Sequence, residues 1–258
     1  METRSGNDRS GTKIFQRRDE RSASTRPPQL RGKPPFSGQG PRREPIKLMP
    51  KSAPPPLPEI KITNDMQVTD GKHKGVQLMT TASPKIRPTA RRIREAFFEA
   101  LGKRVRFARF LDLCAGAGTV GIEAISRGAQ LSTFVERSAK MCHYIKQNLE
   151  ACNISLGHGE IVNLEAVPFL KHMESRKRVW DVVYYDPPYE ADYDEVLQFF
   201  ARGACLRQKG GVLIIEHHAE MFFPEKFGVL ERRRVVREGE TALTFYERGE
   251  ENNEKNNF

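Results

Sequence analysis

The most distinctive chemical group in the sequence is a turn, "DPPY", that follows the apolar run "VVYY" at residues 182–185. The run is typical of a buried strand, and the prolines predict that the strand ends there, because proline has no N–H for the sheet ladder. Asp186 and the Pro187 carbonyl then provide two acceptors for an exocyclic NH₂ group, and the Tyr189 ring can stack on a flipped base. The lone pair of such an amine is delocalised into the base. Two fixed acceptors therefore favour the orientation in which that lone pair meets a methyl group.

A glycine-rich stretch, "LDLCAGAGTVGIEA", is the second candidate site. Gly116 and Gly118 allow a tight turn in which the backbone approaches a ligand without interference from a Cβ atom. With Gly121 they match the G-x-G-x-x-G spacing of dinucleotide sites, but the Asp112 carboxylate before the loop would repel a pyrophosphate. At the end of the next apolar run, Glu136 can accept hydrogen bonds from both hydroxyls of a ribose. The combination favours a nucleoside attached to a cationic group, such as S-adenosylmethionine.

Short apolar runs alternate with segments of helical spacing from about residue 109 onward. Five such runs separated by helices predict a parallel sheet that is covered on both faces. The last two runs, "GVLERRRVVRE" and "ALTFYERG", have no helix between them and predict a closing antiparallel hairpin. We therefore predict an α/β fold with a doubly wound, mostly parallel, seven-stranded sheet. Ligands bind at the carboxyl ends of the strands in such sheets, which places the glycine loop, Glu136 and the DPPY turn around one crevice.

Residues 1–60 differ in composition from the rest of the chain. They contain 13 Lys and Arg but 6 Asp and Glu, a local charge of +7 out of the total of +10, and they hold 11 of the 17 prolines. Such a segment has too little apolar surface to offset the entropy of ordering it, which predicts a disordered basic tail. Two interpretations remain open: a solvated extension with no specific role, and an arm that adds non-specific affinity for RNA phosphates.

The sequence offers no pattern for a metal site or a membrane segment. None of the four cysteines forms a C-x-x-C pair, so free thiols in a reducing compartment are expected. His217 and His218 are adjacent on a predicted strand and point to opposite faces, where they cannot share an ion. No secretory signal is visible, and no stretch approaches the ~20 apolar residues needed to cross a bilayer. We therefore expect a cytoplasmic protein that binds neither metal nor membrane.

Four motifs in order resemble one enzyme family, the bacterial 16S rRNA guanine-N2 methyltransferases, which use S-adenosylmethionine. The motifs are "RPTARRIREAFFEAL" (87–101), "FLDLCAGAGTVGIEAISRGA" (110–129), "FVER" (134–137) and "DVVYYDPPYE" (181–190). The stretch before them, "VTDGKHKGVQLMTTASPKIRPT", is similar to the N-terminal hairpin of that family. The resemblance covers about residues 66–248 and implies a Rossmann-like methyltransferase fold. It also implies transfer of a methyl group to the N2 amine of one guanine in small-subunit rRNA, free or in an assembling subunit.

The resemblance assigns roles to individual positions. The residues implied to hold the cofactor are Asp112, Gly116, Gly118, Glu136 and Glu165. Those implied to hold the guanine and orient its amine are Asp186, Pro187 and Tyr189. The implied RNA-facing segment contributes Arg87, Thr89, Arg91, Arg92 and Arg94; its Thr89 is also a good helix N-cap. Related enzymes often carry Asp or Asn after the third strand, whereas this chain reads "NLEAVPF", so Asn163 and Glu165 remain alternatives for contacting the adenine.

The expected domain organisation has four parts. They are a disordered Pro- and Arg-rich tail (1–60), an N-terminal hairpin (61–86), the methyltransferase domain (87–248) and a disordered C-terminal tail (249–258). We expect a monomer, although the sequence contains no feature that determines the oligomeric state. The resemblance gives no role for the tail.

Three other functions remain open on the sequence alone. An adenine-N6 methyltransferase acting on DNA or rRNA shares the DPPY turn, but the "RPTARRIREAFF" segment and the lack of a large recognition domain weigh against it. A non-catalytic RNA-binding module would not need both an intact glycine loop and an intact DPPY turn. An NAD-type oxidoreductase fits the glycine spacing and leaves Asp186-Pro-Pro-Tyr189 unexplained. Direct methyl transfer without a covalent enzyme intermediate is the expected mechanism, because no cysteine lies in the DPPY turn.

Overall fold

The computed structural model describes residues 66–80, 91–188 and 193–249 of the chain. All of these residues belong to one compact unit, Pro55–Phe258. Some of the predicted features lie outside the described residues: the tail 1–60, the ends of the hairpin predicted at 61–86, nearly all of the tail 249–258, Arg87, Thr89 and Tyr189. The four-part organisation therefore stays a prediction.

The described residues form one mixed sheet of eight strands. The strands are β1 (Arg109–Leu113), β2 (Leu131–Val135), β3 (Gly159–Val162), β4 (Val182–Tyr185), β5 (Val212–His218), β6 (Lys226–Phe227), β7 (Leu230–Glu238) and β8 (Thr241–Arg248). Their order across the sheet is β3-β2-β1-β4-β5-β8-β7-β6. The pairs among β1 to β5 are parallel, and the pairs from β5 through β8 and β7 to β6 are antiparallel.

This topology confirms the predicted Rossmann-like fold with its closing antiparallel hairpin. The predicted count of seven strands is wrong by one, because β6 extends the far edge of the sheet beside β7. Two residues are too short a segment to show the alternation from which strands are recognised.

Five α-helices cover the two faces of the sheet in the described residues. They are α1 (Arg91–Leu101), α2 (Thr119–Ser126), α3 (Ala139–Ala151), α4 (Ala166–Ser175) and α5 (Tyr193–Ala201), and a short 3₁₀ helix (Gly102–Val105) follows α1. One face of the sheet packs against α4 and α5 around the fully buried Trp180 and Phe200. The opposite face packs against α1 and α2 around Phe97 and Phe110, which are also fully buried. Both faces of β1 and β4 are therefore covered, which explains why these strands read as continuous apolar runs.

The segment before α1 forms an antiparallel pair that lies on α2 and α3. Gln67 and Gln77 form a bridge, the Val68 N–H donates to the Val76 carbonyl at 3.0 Å, and the Leu78 N–H donates to the Met66 carbonyl at 2.9 Å. We call residues 66–80 the N-terminal hairpin. Its Val68 and Leu78 side chains are buried against α2 and α3.

Candidate active site

Four parallel strands end at one edge of the sheet and bring the candidate residues to a common crevice. The glycine loop follows β1, Glu136 follows β2, and Asp186 and Pro187 follow β4. The register pairs Tyr185 at the end of β4 with Ile215 of β5, so Glu216 lies beside Asp186. The predicted clustering of the loop, Glu136 and the Asp-Pro turn at one sheet edge is therefore what the structure shows.

The glycine loop reverses direction through three residues with positive φ between β1 and α2. The φ angles are 77° at Cys114, 55° at Gly116 and 78° at Gly118. A Cβ atom added at Gly116 would meet nothing within 4 Å, so the backbone there is open on its outer side. At Gly118 the same atom would lie 3.1 Å from Ile145 Cγ1, which leaves little room for a side chain. The first glycine thus exposes backbone toward the crevice, and the second permits close packing on α3.

Asp112 lies beneath this loop rather than at its surface. Its side chain is buried, and its Oδ2 accepts a hydrogen bond from the Gly121 N–H at 2.9 Å. Burial raises the pKa of this carboxyl to about 8, and the negative charge of Glu136 adds to the rise, while the Gly121 hydrogen bond opposes it. Asp112 therefore holds the first turn of α2 in place. Its role as a direct cofactor ligand stays a prediction.

Glu136 is tied to the glycine loop from the next strand. Its Oε2 accepts a hydrogen bond from the Gly116 N–H at 2.9 Å, and its Oε1 accepts one from the Ser138 N–H at 2.7 Å. The Ser138 hydroxyl in turn accepts from the Met141 N–H and caps α3. The half-buried carboxylate of Glu136 thus lies beside the open backbone of Gly116. Glycine backbone without a covering side chain, next to an anchored carboxylate, leaves room and acceptors that fit an amino-acid nucleoside such as S-adenosylmethionine.

Two residues after β3, Asn163 and Glu165, are the predicted alternatives for contacting the adenine. The Asn163 amide donates to the carbonyls of Glu136 and Arg137, both at 2.9 Å, and so braces the end of β2. Glu165 directly precedes α4, is exposed and forms no side-chain cap there. Its role as a cofactor ligand stays a prediction.

Asp186 and Pro187 end β4 as the sequence predicts. Asp186 is half-buried and Pro187 is buried. Burial raises the pKa of the Asp186 carboxyl well above its ordinary value, and the negative charges of Glu216 and Asp112 raise it further. The charge of Asp186 also contributes to the pKa of Cys114, which burial raises to about 12. The glycine loop and the Asp-Pro turn therefore share one electrostatic environment.

Glu216 is a candidate functional residue that the sequence reasoning missed. It is half-buried near the end of β5, and the Tyr184 hydroxyl donates a hydrogen bond to its carboxylate. The sequence pattern singled out only its neighbours His217 and His218, as possible metal ligands. The available signal was positional, because Glu216 stands at the carboxyl end of a parallel strand, as Glu136 and Asp186 do.

The predicted RNA-facing arginines of α1 separate into two kinds. Arg91 and Arg92 are exposed and lie 2.9 Å and 3.9 Å from the carboxylates of Glu95 and Glu238. The prediction for Arg94 is wrong, because its side chain is 1% exposed and lies 3.5 Å from the equally buried Glu123 carboxylate.

The physical reason for the burial of Arg94 is the N-terminal hairpin. Arg94 donates a hydrogen bond to the Gln67 carbonyl at 3.0 Å, and the Thr69 hydroxyl and N–H both donate to Glu123. The hairpin therefore covers the side of α1 that helical spacing alone leaves facing solvent.

Two other classes of site are absent from the described part of the chain. No helix there is long and apolar enough to cross a bilayer. No three metal-ligating side chains of His, Cys, Asp or Glu come together in residues 66–80, 91–188 and 193–249. The buried His217 ring bonds instead to the Thr244 hydroxyl and the His218 carbonyl, each at 2.8 Å.

Comparison with known proteins gives relatives that match more than two thirds of this chain. Protein YlbH of Bacillus subtilis (strain 168) is 30% identical over 183 residues, which are 71% of this chain and 99% of YlbH. Ribosomal RNA small subunit methyltransferase D of Escherichia coli (strain K12) is 26% identical over 187 residues, 72% of this chain and 91% of that protein.

A solved structure shows the same fold. It is the T. thermophilus 16S rRNA N2 G1207 methyltransferase (RsmC) in complex with AdoMet and guanosine, with a TM-score of 0.57 and 20% identity. The match covers 75% of this chain and 52% of that one.

A family profile described as "Conserved hypothetical protein 95" matches residues 66–247, which include the N-terminal hairpin, all five helices and nearly all of the sheet. The chain belongs to this family.

Proposed function

We propose that this protein transfers a methyl group from S-adenosylmethionine to the exocyclic N2 amine of a guanine in small-subunit rRNA. The observation that carries the proposal is that the glycine loop, Glu136 and the Asp186–Pro187 turn follow three neighbouring strands at one edge of the sheet, where the charge of Asp186 reaches Cys114. The named relative in Escherichia coli is a small-subunit rRNA methyltransferase, and the solved structure of the same fold holds AdoMet and guanosine together.

The cofactor half of the crevice consists of the Gly116 backbone and the Glu136 carboxylate. The Glu136 carboxylate suits the ribose hydroxyls, and its negative charge suits the positively charged cofactor. When bound, S-adenosylmethionine supplies an electrophilic methyl group. The chain's own contribution is to hold that group at the carboxyl ends of β1 and β2.

The base half of the crevice consists of the turn after β4. Two acceptors, the Asp186 carboxylate and the Pro187 carbonyl, hold the two N–H bonds of the amine, so its lone pair points at the methyl group. Pro187 fixes the backbone, so this geometry exists before the base arrives. Tyr189 is proposed as the stacking platform for the flipped guanine.

Transfer releases one proton from the amine, and the crevice contains two carboxylates that can receive it. Asp186 is in contact with the amine in the proposed pose, and Glu216 lies beside Asp186 at the end of β5. Because its pKa is raised, Asp186 is a stronger proton acceptor than an ordinary aspartate. Either carboxylate passes the proton on to water.

The finer features of the proposal concern partners and location. Arg87, Arg91 and Arg92 are proposed to contact rRNA phosphates, with Thr89 at the start of that segment. The tail 1–60 is proposed to add salt-dependent affinity for rRNA. We further propose that the protein acts as a monomer in the cytoplasm without a metal ion.

A methyl-transfer assay with labelled S-adenosylmethionine tests the proposal. Unmodified small subunits, free small-subunit rRNA and duplex DNA are offered separately to the full-length protein. The proposal is supported if label appears in N2-methylguanosine and is lost in Asp186→Ala. Glu195→Gln is the control, because it removes an exposed carboxylate on α5, and it should retain the label. Label in methyladenine transfers the protein to the adenine-N6 class. Cofactor binding with no label on any acceptor favours a non-catalytic binding module.

A further inference from the structure

The N-terminal hairpin contacts the glycine loop as well as α1 and α2. Its base, at Met66 and Met79, packs with Ala117 of the loop and with Met141 and Tyr144 of α3. Met66 is fully buried in this cluster, and Ala117 is 7% exposed. The base of the hairpin therefore packs against the loop assigned to the cofactor.

One side chain joins the hairpin base to the loop through three hydrogen bonds. The Oδ1 of Asn148 accepts from the Met79 N–H at 2.7 Å. Its Nδ2 donates to the Met79 carbonyl and to the Ala117 carbonyl, both at 2.9 Å. Asn148 is fully buried in the last turn of α3, so both of its amide hydrogens and one acceptor position are used without water.

The position of Ala117 makes this contact specific to the cofactor site. Ala117 lies between Gly116 and Gly118, two of the three loop residues with positive φ. Glu136 holds the N–H of Gly116, Asp112 holds the N–H of Gly121, and Asn148 holds the carbonyl between them. Without Asn148, a buried carbonyl in the centre of the loop would lack a donor, and such groups are costly.

We propose that Asn148 is a positioning residue of the cofactor site and that the hairpin base is its supporting wall. The Asn148 amide bonds both the N–H and the carbonyl of Met79, as the backbone of a neighbouring strand would. Its remaining hydrogen donates to the Ala117 carbonyl and holds the loop in place. The hairpin thereby contributes to cofactor affinity through the loop. This inference rests on the proposed function only in taking S-adenosylmethionine as the ligand of the crevice.

The hairpin provides its own matched control at the opposite end. There the Ser126 hydroxyl donates to the Asp70 carbonyl at 2.6 Å and accepts from the His73 N–H at 2.9 Å. Ser126 is buried at the end of α2, seven residues beyond the start of that helix at Thr119. Ser126→Ala therefore weakens hairpin docking and leaves the Asn148 contacts in place.

The test measures binding of S-adenosylhomocysteine by calorimetry to the full-length wild type and to three variants. Asn148→Leu keeps a side chain of similar size but can neither donate nor accept a hydrogen bond, and Asn148→Ala removes the three bonds together with the side-chain volume. Both are expected to bind about tenfold more weakly or worse, since each leaves the buried Ala117 carbonyl without its donor. Ser126→Ala is expected to bind as the wild type does, even where its melting temperature falls equally.

Equal weakening in Ser126→Ala and the Asn148 variants would show that only stability matters and would overturn the proposal. Unchanged affinity in folded Asn148 variants would overturn it as well. If neither Asn148 variant folds, amide exchange on the wild type decides. Bound S-adenosylhomocysteine should slow amide exchange at the Met79 N–H and leave the exchange rates of Lys72 and Lys74 in the hairpin turn unchanged. If exchange at Met79 is not slowed, the proposal is overturned. A wild type that binds no ligand would instead refute the proposed function.

Discussion

The two halves of the crevice use carboxylates in opposite ways. On the cofactor side, Asp112 and Glu136 already accept hydrogen bonds from loop N–H groups. On the base side, Asp186 and Glu216 lie side by side, and burial and mutual repulsion raise the pKa of Asp186. The cofactor half is therefore organised by contacts within the chain. On the base side, Glu216 accepts a hydrogen bond from the Tyr184 hydroxyl, and Asp186 is proposed to take its donor from the substrate.

The largest effect is expected from removing the base-side acceptor. Asp186→Ala should lower the rate of methyl transfer by about 10²- to 10³-fold, as loss of one transition-state hydrogen-bonding group does elsewhere. Binding of S-adenosylhomocysteine should be unchanged, because the cofactor half keeps its internal hydrogen bonds. Single-turnover rates and calorimetry measure the two quantities separately. A variant that loses both equally would remove the distinction between the two halves.

A smaller effect is expected on the cofactor side. Glu136→Gln keeps an acceptor for one loop N–H but loses the charge, so ligand affinity should fall by about tenfold, the order for a hydrogen bond to a charged group. Affinity for rRNA should not change. Glu150→Gln, an exposed carboxylate on the same side of the sheet that pairs with Lys146, is the control. Weakened rRNA binding with normal ligand binding would reverse the assignment of Glu136.

Much of this contrast can be predicted from the sequence, because the sequence pattern shows where the strands end. Alternating apolar runs and helices locate the carboxyl ends of β1, β2 and β4, and the residues that follow them are the site. Glu216 was missed for lack of register, since a sequence does not state that Ile215 lies beside Tyr185. The wrong assignment of Arg94 to the RNA-facing surface and the omission of Asn148 have a different reason. Both side chains face the N-terminal hairpin, and helical spacing carries no information about a separate segment that packs on the helix.

The pH dependence of stability tests the buried carboxyl on the cofactor side. The pKa of Asp112 rises from 3.8 to about 8 on folding, so this group favours the folded state at low pH. Its contribution is lost as the pH rises from about 4 to about 8, because over this range the unfolded chain releases the proton while the folded protein still holds it. Asp112→Asn keeps an acceptor for the Gly121 N–H and removes the charge.

The melting temperature of the wild type should therefore fall relative to Asp112→Asn by about 3 °C or more between pH 5 and pH 8, the change that about 1 kcal/mol produces in a domain of this size. If the melting temperatures of the wild type and Asp112→Asn instead change by the same amount across that range, the pKa of Asp112 is not raised by its burial.

The smallest and most specific effect concerns the pair on the base side. After burial, the negative charge of Glu216 is the larger of two nearby charges that raise the pKa of Asp186, and Asp112 is the other. The Cys114 thiol adds no charge, because burial raises its pKa to about 12. Glu216→Gln keeps an acceptor for the Tyr184 hydroxyl but removes the charge, so the pKa of Asp186 should fall.

If ionised Asp186 orients the amine, the acidic limb of the single-turnover rate should move to lower pH in Glu216→Gln, with the plateau rate nearly unchanged. Glu225→Gln, an exposed carboxylate beyond β5, should leave the profile where it is in the wild type. An unmoved limb with a reduced plateau would instead make Glu216 the acceptor of the released proton. That outcome would give the base side two working carboxylates, one to orient the amine and one to deprotonate it, and so sharpen its contrast with the loop-bound carboxylates of the cofactor side.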